Sequence, residues 1–293
     1  MTLQINMDAV SALAGSADTT LYAARASGLY RSVDGGSTWQ NTFATLDQPD
    51  LTAVAVAAVG HTVFAGVKGA VLRSDDAGDT WHIAGLVAPP PLVVALALSP
   101  DFEHDHTVLA GTAEDGVLVS TDRGETWVPW NFGLLDLNVY ALACSPNFAQ
   151  DHTVFVGTES GIFRSSNSGR GWRELPFPME AAPVLALHST ASGTLYAGTE
   201  DHGLYVADDE GATWRPIPTE ELASPINAIT VGAAGQLIVL LEDKLLRSPN
   251  AGQTWVEPAL VFSASQSALA LLPLSTGQLL VGFADGTIQR VTP

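Results

Sequence analysis

A Ser-x-Asp-x-Gly-x-Thr-Trp segment that returns every forty-odd residues, short apolar runs between the returns, and the lack of any sustained helical period together predict an all-β fold. The specific expectation is a seven-bladed β-propeller of four-stranded blades, one domain over residues 1–293, with the ring closed by the N-terminal strand.

The repeat is plainest at Ser32-Val33-Asp34-Gly35-Gly36-Ser37-Thr38-Trp39. It returns with its Asp at Asp76, Asp122 and Asp209 and its Trp at Trp81, Trp127 and Trp214. Two copies carry asparagine instead, Asn167 before Trp172 and Asn250 before Trp255. The tryptophans are spaced by 42, 46, 45, 42 and 41 residues, the length of a four-stranded blade.

Each period has the same internal order. A small apolar strand such as Ala95-Leu96-Ala97-Leu98 comes first, then one ending in Gly-Thr such as Val108–Thr112. A third, such as Gly116–Ser120, leads into the motif, and a fourth begins at the Trp. The first strand alternates alanine with Val or Leu, as in Ala53-Val54-Ala55-Val56 and Ala268-Leu269-Ala270-Leu271. Small-against-large stacking lets inner strands crowd around an axis.

After Trp255 the chain has three more strands, Ser267–Leu272, Gln278–Phe283 and Gly286–Val291, and then ends. The missing fourth strand is expected from Thr2-Leu3-Gln4-Ile5-Asn6, which removes the open sheet ends of an unclosed ring. Deleting residues 1–7 is therefore expected to lower the melting temperature sharply.

Composition narrows the function. Thirty-one acids against 12 bases give a net charge of −19, which repels phosphate backbones and anionic bilayers. Nucleic acid is thus excluded as a partner class, and cationic ligands, a divalent cation or a basic peptide are compatible. No apolar run approaches the roughly 20 residues of a membrane-spanning helix. The start lacks the basic and apolar regions of a signal peptide, and Cys144 is the lone cysteine, so the expectation is a cytoplasmic protein without disulfides.

The motif itself reads as a turn. Asp or Asn can accept backbone N–H bonds, glycine supplies a positive φ, the Thr hydroxyl adds a bond, and the Trp anchors the outer part of the blade. Asn167 and Asn250 keep the acceptor oxygen but have no useful acid pKa, which suits a turn and not acid–base chemistry. Asp34, Asp76, Asp122, Asn167, Asp209 and Asn250 are assigned a structural role with their six tryptophans.

This repeated set resembles the Asp-box, or bacterial neuraminidase repeat. Similar repeats occur in sialidases, xyloglucan-cleaving glycosidases, sortilin-type receptors and photosystem II assembly factors, and the resemblance implies a propeller across the chain. In those families the Asp-boxes lie away from the ligand site, so the resemblance implies fold and not activity. A sialidase needs an arginine triad and a Phe-Arg-Ile-Pro-like segment. The latter is missing, and Arg31, Arg73, Arg164 and Arg247 share one repeat position, which makes them blade residues. The xyloglucanase-like families set paired carboxylates across a cleft, and nothing singles out a pair here. Photosystem assembly factors are single rings that bind protein, but their arginine-rich patch has no counterpart in this chain.

His104-Asp105-His106 has the look of a metal site. The equivalence of His61, His106 and His152 at the starts of second strands makes them repeat residues, so no metal site or cofactor is expected. Cys144 reads as a small core residue.

The remaining signal is a ring of acids on the loops between second and third strands: Glu114-Asp115, Glu159, Glu200-Asp201-His202, Glu242-Asp243 and Asp285. Blades one and two offer Arg25 and Lys68 there, and the blade-to-blade connections add Asp8, Asp47, Asp50 and Trp130. Acids are ordinary in hairpin turns; gathered around a channel they also draw in cations. The expectation is a non-enzymatic binding or scaffold protein that recognises a protein or cationic ligand through this acidic face. The alternative is a glycosidase-like hydrolase or lyase with carboxylates at the channel mouth.

Overall fold

The computed structural model describes residues 8–292 apart from 17–18, 47–50, 85–90, 180–181, 233–234, 259–261 and 264–265. Seven antiparallel sheets follow one another along the chain, each with its strands in sequence order. They form a seven-bladed β-propeller. The inner strands are Val10–Gly15, Ala53–Val59, Val93–Leu98, Val139–Cys144, Val184–Ser189, Ile226–Val231 and Ala268–Pro273. The segment expected to supply the outer strand of blade seven lies outside the described residues, as do Asp47 and Asp50.

Every inner strand has alanine at its third position: Ala12, Ala55, Ala95, Ala141, Ala186, Ala228 and Ala270. A register shift falls at this end of the strand pairing in every blade. The fourth position is always bulky. Ala186 packs with Ile229 of the next blade, and Ala228 packs with Leu271 of the blade after that. Small-against-large stacking therefore runs around the axis.

The Gly of the Gly-Thr segment serves the same crowding. A Cβ on Gly111 would lie 2.5 Å from Val139 Cγ1, and one on Gly157 would lie 2.7 Å from the Val184 carbonyl oxygen. In both cases the neighbour is the first residue of the next inner strand. The ring closes in the same way, because a Cβ on Gly282 of blade seven would meet Val10 of blade one at 2.5 Å.

Each motif Trp packs on the preceding blade. Trp81 meets Phe43 edge to face at 5.2 Å, Trp214 meets Phe177 at 5.2 Å, and Trp39 joins Leu280 of blade seven. Arginines on the third strands reach forward instead. Arg31 binds Asp79 at 2.8 Å, Arg73 binds Glu125 at 2.6 Å, and Arg164 pairs with Glu210, each in the next blade. Arg290 completes the set by donating to the Gly35 carbonyl of blade one. The repeat position of these arginines thus links neighbouring blades.

Two details differ from the sequence expectation. The fourth strands begin one residue after the Trp and are two residues long, as at Gln40–Asn41 and His82–Ile83, because the Trp turns inward and leaves only a short outer edge. Single-turn α-helices occupy Phe102–Asp105 and Phe148–Asp151. They are too short to show a period, and each is fixed by a buried Phe and a Ser–Asp hydrogen bond, Ser99 to Asp105 and Ser145 to Asp151. His106 and His152 are their left-handed caps, with φ of 57° and 51°.

A candidate binding face

Antiparallel strands in sequence order place the recurrent turns on one face of the ring. The second-to-third strand loops and blade-to-blade connections lie on the other. On the first face the Asp34 turn is closed by its own side chains. Thr38 donates to Asp34 through its backbone N–H at 2.9 Å and its hydroxyl at 2.6 Å, and Ser32 Oγ donates to Asp34 Oδ1 at 2.8 Å. Gly36 N–H donates to Ser32 Oγ at 2.7 Å. Asn250 repeats the pattern with its single oxygen, accepting from Ser248, Thr254 N–H and the Thr254 hydroxyl. The Thr hydroxyl and backbone bonds hold the carboxyls of Asp34 and Asp76 well below the usual range.

The opposite face carries the acids. Its loops are pinned from below by the Thr of Gly-Thr. Thr112 donates to the Gly116 carbonyl at 2.8 Å and accepts from Asp115 N–H at 2.9 Å, and Thr199 does the same for Gly203 and His202. Glu114, Asp115, Glu159, Glu200, Asp201, His202, Glu242, Asp243, Asp285 and Lys68 are all exposed at these tips.

They are not equivalent. Asp285 accepts from Gln266 and Thr287, Glu242 accepts from Ser267 at 3.0 Å, and Asp8 pairs with Arg25 at 3.3 Å. Glu159 accepts from Asn138 at 2.7 Å, and Asp201 pairs with His202. Among the described residues, the carboxylates of Glu114, Asp115 and Glu200 have no protein partner. Partial burial raises the Tyr140 phenol above its ordinary value, and Glu159, Glu200 and Asp136 add to that. The charges of these three carboxylates thus all act on the one phenol.

Trp130 does not join them. Its ring lies 5.1 Å under the Arg170 guanidinium and packs, half-buried, against the cluster of Trp172 and Leu134 at the junction of blades three and four. Sequence reasoning missed Tyr140 and Asp136. Tyr140 stands where the other inner strands have Ser11, Val54, Val94, Leu185, Asn227 and Leu269, so its departure from the repeat was the available signal.

The central channel below is lined mainly by alanine and aliphatic residues. About 240 Å3 is lined by Ala12, Val56, Leu96, Leu142, Leu187 and Ile229 among others, with Tyr140 and Asn227 at its polar end. Cys144 lies at the far end of its inner strand, where desolvation, with Asp105 and Asp151 adding, pushes its thiol up to about 12. That leaves it a neutral thiol at neutral pH.

Glycosidase chemistry needs one carboxyl held protonated. The carboxyls clearly displaced from their ordinary range, Asp8, Asp34, Asp76, Asp122, Asp136, Asp209 and Asp285, all move downward. For Asp136 partial burial opposes this, and hydrogen bonds from Asn138 and Ser160 overcome it. None of these seven is a proton donor at neutral pH. Among the described residues, no three His, Cys, Asp or Glu side chains gather in a set that could hold a metal ion.

No protein-family model matches the chain, and no curated protein matches it in sequence. Solved structures do match in shape. YCF48 bound to a D1 peptide superposes with a TM-score of 0.79 at 15% identity, over 98% of this chain and 94% of that one. A streptogramin B lyase gives 0.79 at 14%, over 99% and 95%. A GH74 xyloglucanase from Xanthomonas campestris gives 0.78 at 18%, over 96% of this chain and 51% of the enzyme. At these identities the likeness is one of fold, and the chain is similar to β-propellers that include a peptide-binding protein, a lyase and a glycosidase.

Proposed function

We propose that this chain is a non-enzymatic binding module of the Asp-box type, which takes a protein segment or other cationic ligand on its acidic loop face. The observation that carries the reading is the set of pinned loops that hold Glu114, Asp115 and Glu200 in solvent without protein partners. Loops fixed in advance lose little entropy on binding, and unpaired carboxylates attract a basic partner over a distance. The propeller solved with a D1 peptide supports the class, since a ring of this shape can present a peptide-binding face.

The test is a pull-down from lysate of the source organism. Wild type is compared with a variant in which Glu114, Asp115, Glu159, Glu200, Asp201, Glu242 and Asp243 become Gln or Asn. The expected result is a partner held by the wild type, released by salt and lost by the variant. A partner retained by both would place the site elsewhere on the ring.

A further inference from the structure

Among the described residues, the acidic face has its large exposed apolar side chains in one arc. Large hydrophobic side chains exposed on this side cluster in the connections into blades three and four: Leu92 at 41%, Leu135 at 79%, Leu137 at 38% and Tyr140 at 42%. The other large hydrophobics exposed among the described residues are Val33, Ile83, Val128 and Val256, in the turns or outer strands, and Phe132 at 85%, in the connection into blade four, whose carbonyl accepts from Trp172 N–H at 2.8 Å.

Hydrogen bonds string the arc together. Lys68 bridges to Leu92, whose carbonyl accepts from Ala113 N–H at 3.0 Å. Three residues on, Gly116 N–H donates to the Leu137 carbonyl at 3.0 Å. Leu92 and Leu137 therefore flank the loop that carries Glu114 and Asp115. Asp136 accepts from Ser160 N–H at 2.7 Å, which ties the connection to the Glu159 loop, and Tyr140 feels both Glu159 and Glu200. Apolar and acidic groups thus alternate from blade two to blade five, with Lys68 at one end.

We propose that the segment docked here is an extended stretch of a partner protein in which apolar residues are interspersed with Lys or Arg, and that it lies along blades two to five. This rests on the acidic-face reading and narrows it. Charge complementarity chooses the partner: the arc presents Glu114, Asp115, Asp136, Glu159 and Glu200, and the one base along it, Lys68, marks the end a basic segment avoids. Exposed apolar side chains beside those acids reward a partner that carries both kinds of residue. The remaining arc differs in its charges and its apolar surface: Asp8 is neutralised by Arg25, Lys244 stands beside Glu242 and Asp243, and among the described residues no large exposed hydrophobic lies beside those acids.

The test measures anisotropy of three labelled peptides, (Leu-Lys-Gly)3, (Ser-Lys-Gly)3 and (Leu-Gln-Gly)3, against the full chain. The Leu-Lys peptide should bind at least tenfold more tightly than either of the others. That preference should vanish in the double variant Leu137→Ser with Tyr140→Ser and persist in Glu242→Gln with Asp285→Asn. Leu92→Ser with Leu135→Ser, the latter at the more exposed position, serves as a second pair if the first melts early. Equal binding of the Leu-Lys and Ser-Lys peptides, lost when the seven acids are neutralised, would overturn the apolar arc and leave the acidic face standing. Binding that survives neutralisation, or none by any peptide up to about 1 mM, would overturn both.

Discussion

Replacing Gly124 by alanine separates two demands that the recurrent turn places on one residue. Gly124 has φ of +84°, and a Cβ there would lie 2.5 Å from Phe64 Cε1 of the preceding blade. The left-handed conformation costs an alanine roughly 1–2 kcal/mol. Forcing a methyl into a packed interface costs about 1–3 kcal/mol more. Gly124→Ala should therefore lose about 2–5 kcal/mol. Gly277 supplies the control, with φ of +79° and nothing within 4 Å of the added Cβ, so Gly277→Ala should lose only roughly 1–2 kcal/mol. Both changes stiffen the unfolded chain equally, so that contribution cancels in the comparison. Equilibrium urea unfolding at constant m reads the difference. Equal losses for the two variants would show that the turn glycine answers to backbone conformation alone, and the packing argument would fail.

Other expectations rest on the same contacts. Trp127→Ala removes a buried indole that also donates to the Gly124 carbonyl at 3.1 Å, and should cost about 3–5 kcal/mol in urea unfolding. Asp122→Asn keeps the acceptor for Thr126 N–H and loses only the hydroxyl's bond to the second oxygen, so about 0.5–1.5 kcal/mol is expected, as the natural Asn250 implies. Asp34 and Asp76 have folded values below the unfolded 3.8, so their stabilisation is present above that pH and disappears as pH falls through the lower folded values. Melting temperature should fall below about pH 4, and the fall should be smaller in Asp76→Asn. A double-mutant cycle on Arg73 and Glu125 should give a coupling of about 1 kcal/mol between blades two and three, weakened by salt.

Much of the fold could be read in the sequence because each blade repeats one set of physical demands. The Asp-Gly-Trp spacing marks a turn that closes on its own side chains. The Ala-Leu alternation marks strands that must crowd an axis. Gly111 and Gly157 were visible as the ends of second strands, but their reason, the approach of Val139 and Val184 from the next blade, is a contact across the ring that local pattern does not carry. The helical turns at Phe102–Asp105 and Phe148–Asp151 were hidden for the opposite reason, being shorter than any period.

The candidate site was legible in part. The acidic tips followed from counting loops, since charge and loop position are local properties. Which tips are free depends on partners such as Ser267, Gln266 and Asn138, which come from the adjoining connections. Trp130 draws notice by its place in a blade-to-blade connection, and it is Arg170, 40 residues away in sequence, that stacks on its ring. Tyr140 is the one aromatic at its position of the inner strands, and only the fold brings the charges of Glu159, Glu200 and Asp136 to bear on it.

The most direct test of the binding-face account is a chemical-shift map of the 15N-labelled chain titrated with (Leu-Lys-Gly)3. The account predicts shifts at residues 113–116, 136–140 and 159–161, with the turns at 34–38 and 250–254 unmoved. Shifts centred on those turns, or spread evenly over both faces, would contradict it.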